Sequence, residues 1–200
     1  MRTIKVRLTF TEPLLGTVGS DKGIHERFLA NEATPEAIEE EAATLPEADA
    51  VEKGTGFHRI DHDENRPAIY DYAVRGFFKE ACGDLKRAGA PASSDKKMRA
   101  HKKIIDGGVF VTPRLIPLQL SGPLERVTRP LRAETMQGPR VALASSEAAP
   151  VGSTMEFTVT ILGAMPDDDV LTEWLDFGAF KGLGQWRSGG YGRFTYEILE

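Results

Sequence analysis

The chain opens on a strict alternation, with Ile4, Val6, Leu8 and Phe10 separated by Lys5, Arg7 and Thr9. A period of two predicts a strand with one apolar and one polar face. Helical spacing is equally clear at Val74, Phe77, Phe78, Ala81, Cys82 and Leu85, an apolar stripe on a helix that starts at Asp71 as N-cap and stops at Gly89. A second helix follows the acids Asp167, Asp168 and Asp169, which suit a positive helix end, and turns Val170, Leu171, Trp174, Leu175 and Gly178 to one side. Short strands are predicted at 109–111 and 115–120, with Pro113 and Pro117 marking edges or bulges. Residues 140–144 read as extended, 154–162 as a firm strand and 191–199 as a closing one. A hairpin is predicted where 57–60 and 68–72 flank the turn-rich Asp61-His62-Asp63-Glu64-Asn65.

Two stretches fall outside this pattern. Residues 12–56 read as an insertion of irregular and short helical structure, with Thr34-Pro35-Glu36 as one helix start. Residues 89–108 read as a small-residue basic loop, exposed and without order of its own until a ligand binds. With both set aside, the order is β-α-β-β-α-β. The expected fold is therefore α+β, a single domain over 1–200 built on a ferredoxin-like or RRM-like sheet with both helices on one face. Its other face is expected to be free for binding.

Composition narrows the classes. The 200 residues are 40% hydrophobic and 28% charged, enough for a core that needs no staples. Cys82 is the single cysteine, which excludes a disulfide framework. No apolar run reaches the roughly 20 residues of a membrane span, so the expectation is a cytoplasmic protein with no membrane partner. A net charge of -5 argues at first against a nucleic-acid partner, but the charge is unevenly placed. Residues 32–52 hold eight acids and no lysine or arginine, so the rest of the chain carries +3. Its bases concentrate in three segments: 86–103 with seven against Asp95, 126–140 with four against Glu134, and 181–193 with three against none. Three basic segments that converge would favour a polyanion.

The most informative stretch is Gly178-Ala179-Phe180-Lys181-Gly182-Leu183-Gly184-Gln185-Trp186-Arg187-Ser188-Gly189-Gly190-Tyr191-Gly192-Arg193-Phe194. Six glycines within fifteen residues permit positive-φ turns whose amides can cradle phosphates. Trp186 and Tyr191, interleaved with Arg187 and Arg193, are the residue types that base stacking and phosphate contact require. The stretch ends in neither a Walker lysine nor a helix, which excludes the common nucleotide loops.

This stretch, a helix end followed by a terminal strand, resembles the C-terminal glycine-rich loop of the RAMP superfamily, the RRM-like RNA-binding proteins of CRISPR systems. Within it the chain is most similar to single-domain backbone subunits of effector complexes, and small phage and prophage proteins are similar too. Residues 69–79 stand where the family enters its first helix, and Glu147-Ala148-Ala149-Pro150-Val151-Gly152-Ser153 resembles the turn before its third strand. Tyr70-Asp71-Tyr72-Ala73 replaces the family's usual Pro-Gly-Ser-Ser there. The resemblance implies single-stranded RNA, favoured over DNA, as the partner, with assembly as a homo-oligomer or as a subunit of an effector complex. The residues expected to bind it are Lys181, Gly182, Gly184, Trp186, Arg187, Gly189, Gly190, Tyr191 and Arg193 of the loop. To these are added Lys96, Lys97, Arg99, Lys102 and Lys103 as a clamp, and Arg126, Arg129 and Arg132 as an extension of the track.

Two other readings remain at this point. Some relatives process guide RNA with a histidine and one backbone type cleaves target RNA with an aspartate, which makes His25 and Asp21 the candidates for a metal-independent endoribonuclease. A self-associating structural protein of phage origin is the third reading. His58 and His62 are metal-compatible types beside Asp61 and Asp63, but at i,i+4 in a strand they stand about 13 Å apart, so no metal and no cofactor is expected.

Overall fold

The computed structural model describes residues 1–19, 54–60, 66–135 and 138–199, and the side chains of 131–143 lie outside that description. Asp21, His25, the acidic stretch and His62 therefore fall outside the described residues. Strand β1 (Arg2–Phe10) buries Val6, Leu8 and Phe10 and exposes Thr3 and Lys5, as its alternation requires. It lies antiparallel between β11 (Thr154–Ile161) and β12 (Phe194–Leu199). The far side of β11 is shared by β7 (Val109–Thr112) and β8 (Leu115–Gln119). Taken as one interrupted strand, β7 and β8 complete the β-α-β-β-α-β motif, in which the fourth strand pairs with the first, the first with the third and the third with the second. The fold is ferredoxin-like, as expected. β6 (Pro67–Tyr70) and β5 (His58–Arg59) widen the sheet past β8 and form the predicted hairpin, with His58 opposite Ala68.

Helices α1 (Asp71–Ala88) and α3 (Asp168–Lys181) cover one face of this sheet. Every apolar residue predicted to line α3 is buried, and in α1 only Leu85 stays partly exposed. Phe77 meets Phe194 at 5.4 Å and Phe78 meets Trp174 at 5.5 Å, so the helices are tied to the sheet and to each other by aromatic contacts worth about 0.5–1.5 kcal/mol each beyond their area. Asp167 caps α3 by accepting from the Val170 amide at 3.0 Å. Asp71 does not cap α1: Tyr70 occupies that position, while Asp71 is the first helical residue and pairs with Arg75 at 3.1 Å. Gly89 ends the helix in the left-handed region, at φ 78°.

The other face of the sheet is uncovered among the described residues and carries ions that pair with one another. Glu156 on β11 pairs with Lys5 at 2.9 Å and Arg7 at 2.7 Å on β1, and Arg7 reaches Glu197 on β12 at 3.3 Å. Among the described strands of this face Phe110 is the one exposed aromatic. A row of mutually paired ions and threonines lacks the stacking rings by which an RRM sheet holds bases.

The long connections form a second sheet. β10 (Gly138–Ala149) pairs with β2 (Leu14–Leu15) and β4 (Gly54–Gly56), and β3 (Val18–Gly19) adds to β4. β9 (Glu125–Thr135) forms a long hairpin with β10, of which the sequence pattern marked only 140–144. The two sheets are joined by Arg59, buried, whose guanidinium meets Glu147 at 2.7 Å while that carboxylate also accepts from the Phe57 amide at 3.0 Å. A buried pair satisfied in this way is costly to break from one side, by about 3–5 kcal/mol.

The basic loop expected at 89–108 is folded. It forms a 3-10 turn at Lys96–Met98 and a helix α2 (His101–Gly108), with Met98 and Ile105 in the core. Its anchor is Glu173 on α3, whose carboxylate accepts from the amides of Ala92 at 3.1 Å and Ser93 at 2.7 Å. The indole of Trp174 donates to the Ser93 hydroxyl beside them. Apolar residues were too sparse in this segment to signal order, because the tie comes from carboxylate and amide groups about 80 residues apart in the chain.

Candidate nucleic-acid interface

The glycine-rich stretch leaves α3 at Lys181, crosses to the second sheet and returns to β12. Gly192, at φ 70°, lets Leu183 and Gly192 pair backbone to backbone, and a Cβ there would stand 1.9 Å from the Leu183 carbonyl. Gly184 leans on Leu14 and Leu15 of β2, and Gln185 accepts from the hydroxyls of Thr55 at 2.9 Å and Ser146 at 3.1 Å. The loop is thus pinned to both sheets. Its amides serve that closure: those of Gly182, Gly189, Gly190 and Gly192 donate to Gly178, Trp186, Arg187 and Pro13 carbonyls. These four donors are used inside the protein, which revises the expected phosphate cradle.

The aromatic residues of the loop also pack together. Trp186 takes a left-handed conformation at φ 53°, and Tyr191 stacks on it at 5.0 Å and 18°. Gly189 leaves room for the indole, since a Cβ there would approach it to 2.7 Å. Arg129, buried in β9, sits over the same indole at 4.4 Å, and its Nε and Nη1 have no hydrogen-bond partner. Arg126, Arg129 and Arg132 therefore do not form one track: neighbours three apart in a strand face opposite ways. Arg126 is exposed, Arg129 is buried against the loop, and the Arg132 side chain lies outside the described residues.

Three cations of the loop differ in their state. Arg187 grips Glu80 of α1 through two bonds, at 2.6 and 3.1 Å, and Lys181 meets Asp84 at 2.7 Å and Glu80 at 3.5 Å. Burial pushes the Glu80 carboxyl up, but Arg187 and then Lys181 more than offset it and hold the group below its ordinary value. Arg193 is exposed and has no carboxylate partner among the described residues. Phe180, 72% exposed, projects from the end of α3 beside these groups. Together Phe180, Lys181, Gln185, Trp186, Arg187 and Arg193 line an open pocket of about 620 Å³.

Sequence reasoning assembled most of this pocket but left out Phe180 and Gln185, which lie in the glycine-rich stretch with no alternation to mark them. It also left out Glu80 and Asp84, which lie on the polar side of a helical stripe that says nothing of their partners. Lys96, Lys97, Arg99, Lys102 and Lys103 are all exposed on the 3-10 turn and α2, and Lys102 borders a groove that Lys181 also borders. His58 is buried edge-on against Tyr70 at 4.6 Å. Among the described residues no cluster of metal-ligating side chains occurs, and no helix is long and apolar enough to cross a membrane.

No family model and no curated protein matches the sequence. The fold does match solved structures. One is a chain of the "Cryo-EM structure of the Type III-B Cmr-beta bound to cognate target RNA", with a TM-score of 0.51 at 13% identity over 99% of this chain. The protein spans 58% of that longer chain. Another is a chain of the "Type IV-B CRISPR Complex", with a TM-score of 0.52 at 14% identity, covering 99% of this chain and 90% of the other. The expected resemblance to components of CRISPR complexes is thus present in the fold.

Proposed function

We propose that the protein is a single-stranded RNA-binding subunit of a CRISPR-like multi-subunit complex, and that the loop pocket is where a strand is held. The observation that carries this reading is the exposed Phe180 ring at the end of α3 beside Arg193, which has no carboxylate partner among the described residues and sits on a loop pinned to both sheets. An exposed aromatic face and a solvated cation on a fixed scaffold are what a nucleotide's base and phosphate need. Trp186, backed by the stacked Tyr191, lines the pocket, and the exposed lysines of 96–103 add attraction from the α2 side. The fold neighbours support the reading, since one was solved bound to target RNA and the other belongs to a CRISPR complex. RNA is preferred over DNA on the same ground.

The test is fluorescence anisotropy of a labelled oligouridylate over a salt series, with wild type, Phe180→Ala and Arg193→Ala. Loss of a stacking ring is expected to cost about 1–3 kcal/mol, and loss of the arginine to flatten the salt dependence by about one phosphate contact. Absence of binding at low salt, or wild-type binding by both variants, refutes the proposal.

A further inference from the structure

Lys181 borders a second concavity, a groove of about 870 Å³ between α1 and α2 that is separate from the loop pocket. Its floor is the face of α1 at Gly76, Lys79, Glu80, Gly83, Asp84 and Arg87, and His101 and Lys102 of α2 form its far wall. Nothing lies within 4 Å of a Cβ built on Gly76, and at Gly83 the nearest atoms are Arg87 Nη1 and His101 Nε2, each at 3.8 Å. The two glycines therefore leave a flat floor. Four cations line the groove against two carboxylates; Lys181 pairs with Asp84 and Glu80, Arg87 with Asp84 and Lys79 with Asp106, so Lys102 is the cation left without a carboxylate among the described residues. The Nε2 atom of His101 is buried and has no hydrogen-bond partner, which leaves a desolvated polar atom waiting for one.

We infer that this groove is an anion-binding site for a phosphate group, with Lys102 supplying charge that no carboxylate matches among the described residues and His101 Nε2 as the hydrogen-bonding partner that the anion completes. Arg87, whose side chain is 76% exposed and paired with Asp84, brings its Nη1 within 3.8 Å of the same point above Gly83 that His101 Nε2 approaches. The charged groups that line the groove with the imidazole are Lys79, Glu80, Asp84 and Arg87 of α1, Lys102 of α2 and Lys181 of α3, while Lys86 of α1 acts on it by its charge and Asp106 of α2 is paired to Lys79. Burial, then Lys86 and Lys102, hold His101 below its ordinary value, against a hydrogen bond with the Lys79 backbone that raises it. An anion in the groove reverses that balance, because it favours the imidazolium. Protonation and anion binding are then linked, and each strengthens the other. The inference draws on the RNA reading only for the natural source of the phosphate.

The probe is inorganic pyrophosphate, with the His101 ring followed by NMR across pH 5–8. The titration midpoint of His101 is expected to rise on saturation, and the affinity for pyrophosphate to increase toward acid by up to about tenfold per pH unit for one proton taken up. His101→Gln removes the pH dependence and keeps a weaker, pH-independent affinity. Lys102→Ala, at an exposed position of α2, lowers the affinity and keeps the pH dependence. A His101 midpoint that pyrophosphate leaves unmoved overturns the inference, whether or not pyrophosphate binds elsewhere. RNA binding lost on Phe180→Ala with the His101 response intact assigns the two sites separately, and a failed RNA reading with that response intact leaves the groove standing.

Discussion

Glu80 decides how much of the loop's positive charge is available. Its carboxylate is held by Arg187 and Lys181, so two of the three loop cations that the sequence offered to RNA are matched within the protein. Glu80→Gln removes that competitor and keeps the shape of the side chain. We expect it to raise the affinity for single-stranded RNA several-fold and to steepen the salt dependence by about one phosphate contact, that of Arg187, since Lys181 keeps its pair with Asp84. Anisotropy over a salt series checks this, and an unchanged slope would mean that Arg187 does not reach the strand. The depressed carboxyl also has a stability consequence with a definite sign. Its ion pairs contribute fully above the ordinary value of 4.5 and are lost as pH falls through the lower value of the folded state. The residue scale is also where the sequence was least legible: Arg187 and Lys181 were visible as cations, but nothing in their own segment points to carboxylates about 100 residues earlier.

At the scale of elements, legibility followed apolar content. α1, α3, β1 and β11 carry enough buried side chains at period 3.6 or 2 to be read directly, and all are present. β9 was missed because it carries Arg126, Arg129, Pro130 and Arg132 where a strand pattern needs apolar residues, and its pairing with β10 supplies the order instead. The basic segment before β7 failed for a related reason. Its fold depends on Glu173 receiving two amides, a contact that no periodicity encodes. Glu173→Ala is expected to cost about 1–3 kcal/mol through those orphaned donors. The loss falls on one region, so hydrogen exchange should accelerate across 90–100 and stay slow in β1 and β11. Uniform acceleration would place Glu173 in the global core, and none would show that Met98 and Ile105 hold the segment alone.

At the scale of the whole molecule the balance of charge becomes a testable quantity. The eight acids of 32–52 outweigh the +3 of everything else, yet that remainder includes a fully exposed basic surface on the 3-10 turn and α2. The paired ions of the open sheet face leave the helix side and the loop as the basic surfaces of the protein. A polyanion bound to them is repelled by the acidic stretch to the extent that the two come within about 10 Å of each other at 0.1 M salt. Replacing the eight acids by their amides keeps the length of the stretch and removes its charge. Affinity for oligouridylate should then rise at about 50 mM salt and converge on wild type at about 0.5 M, where screening cuts the field to a few ångströms. A gain that persists at high salt would mean that the acids contact the binding surface directly and compete with phosphate there. Equal affinities at low salt would place the stretch beyond electrostatic reach of the interface, and the net charge of -5 would then have no bearing on what the protein binds.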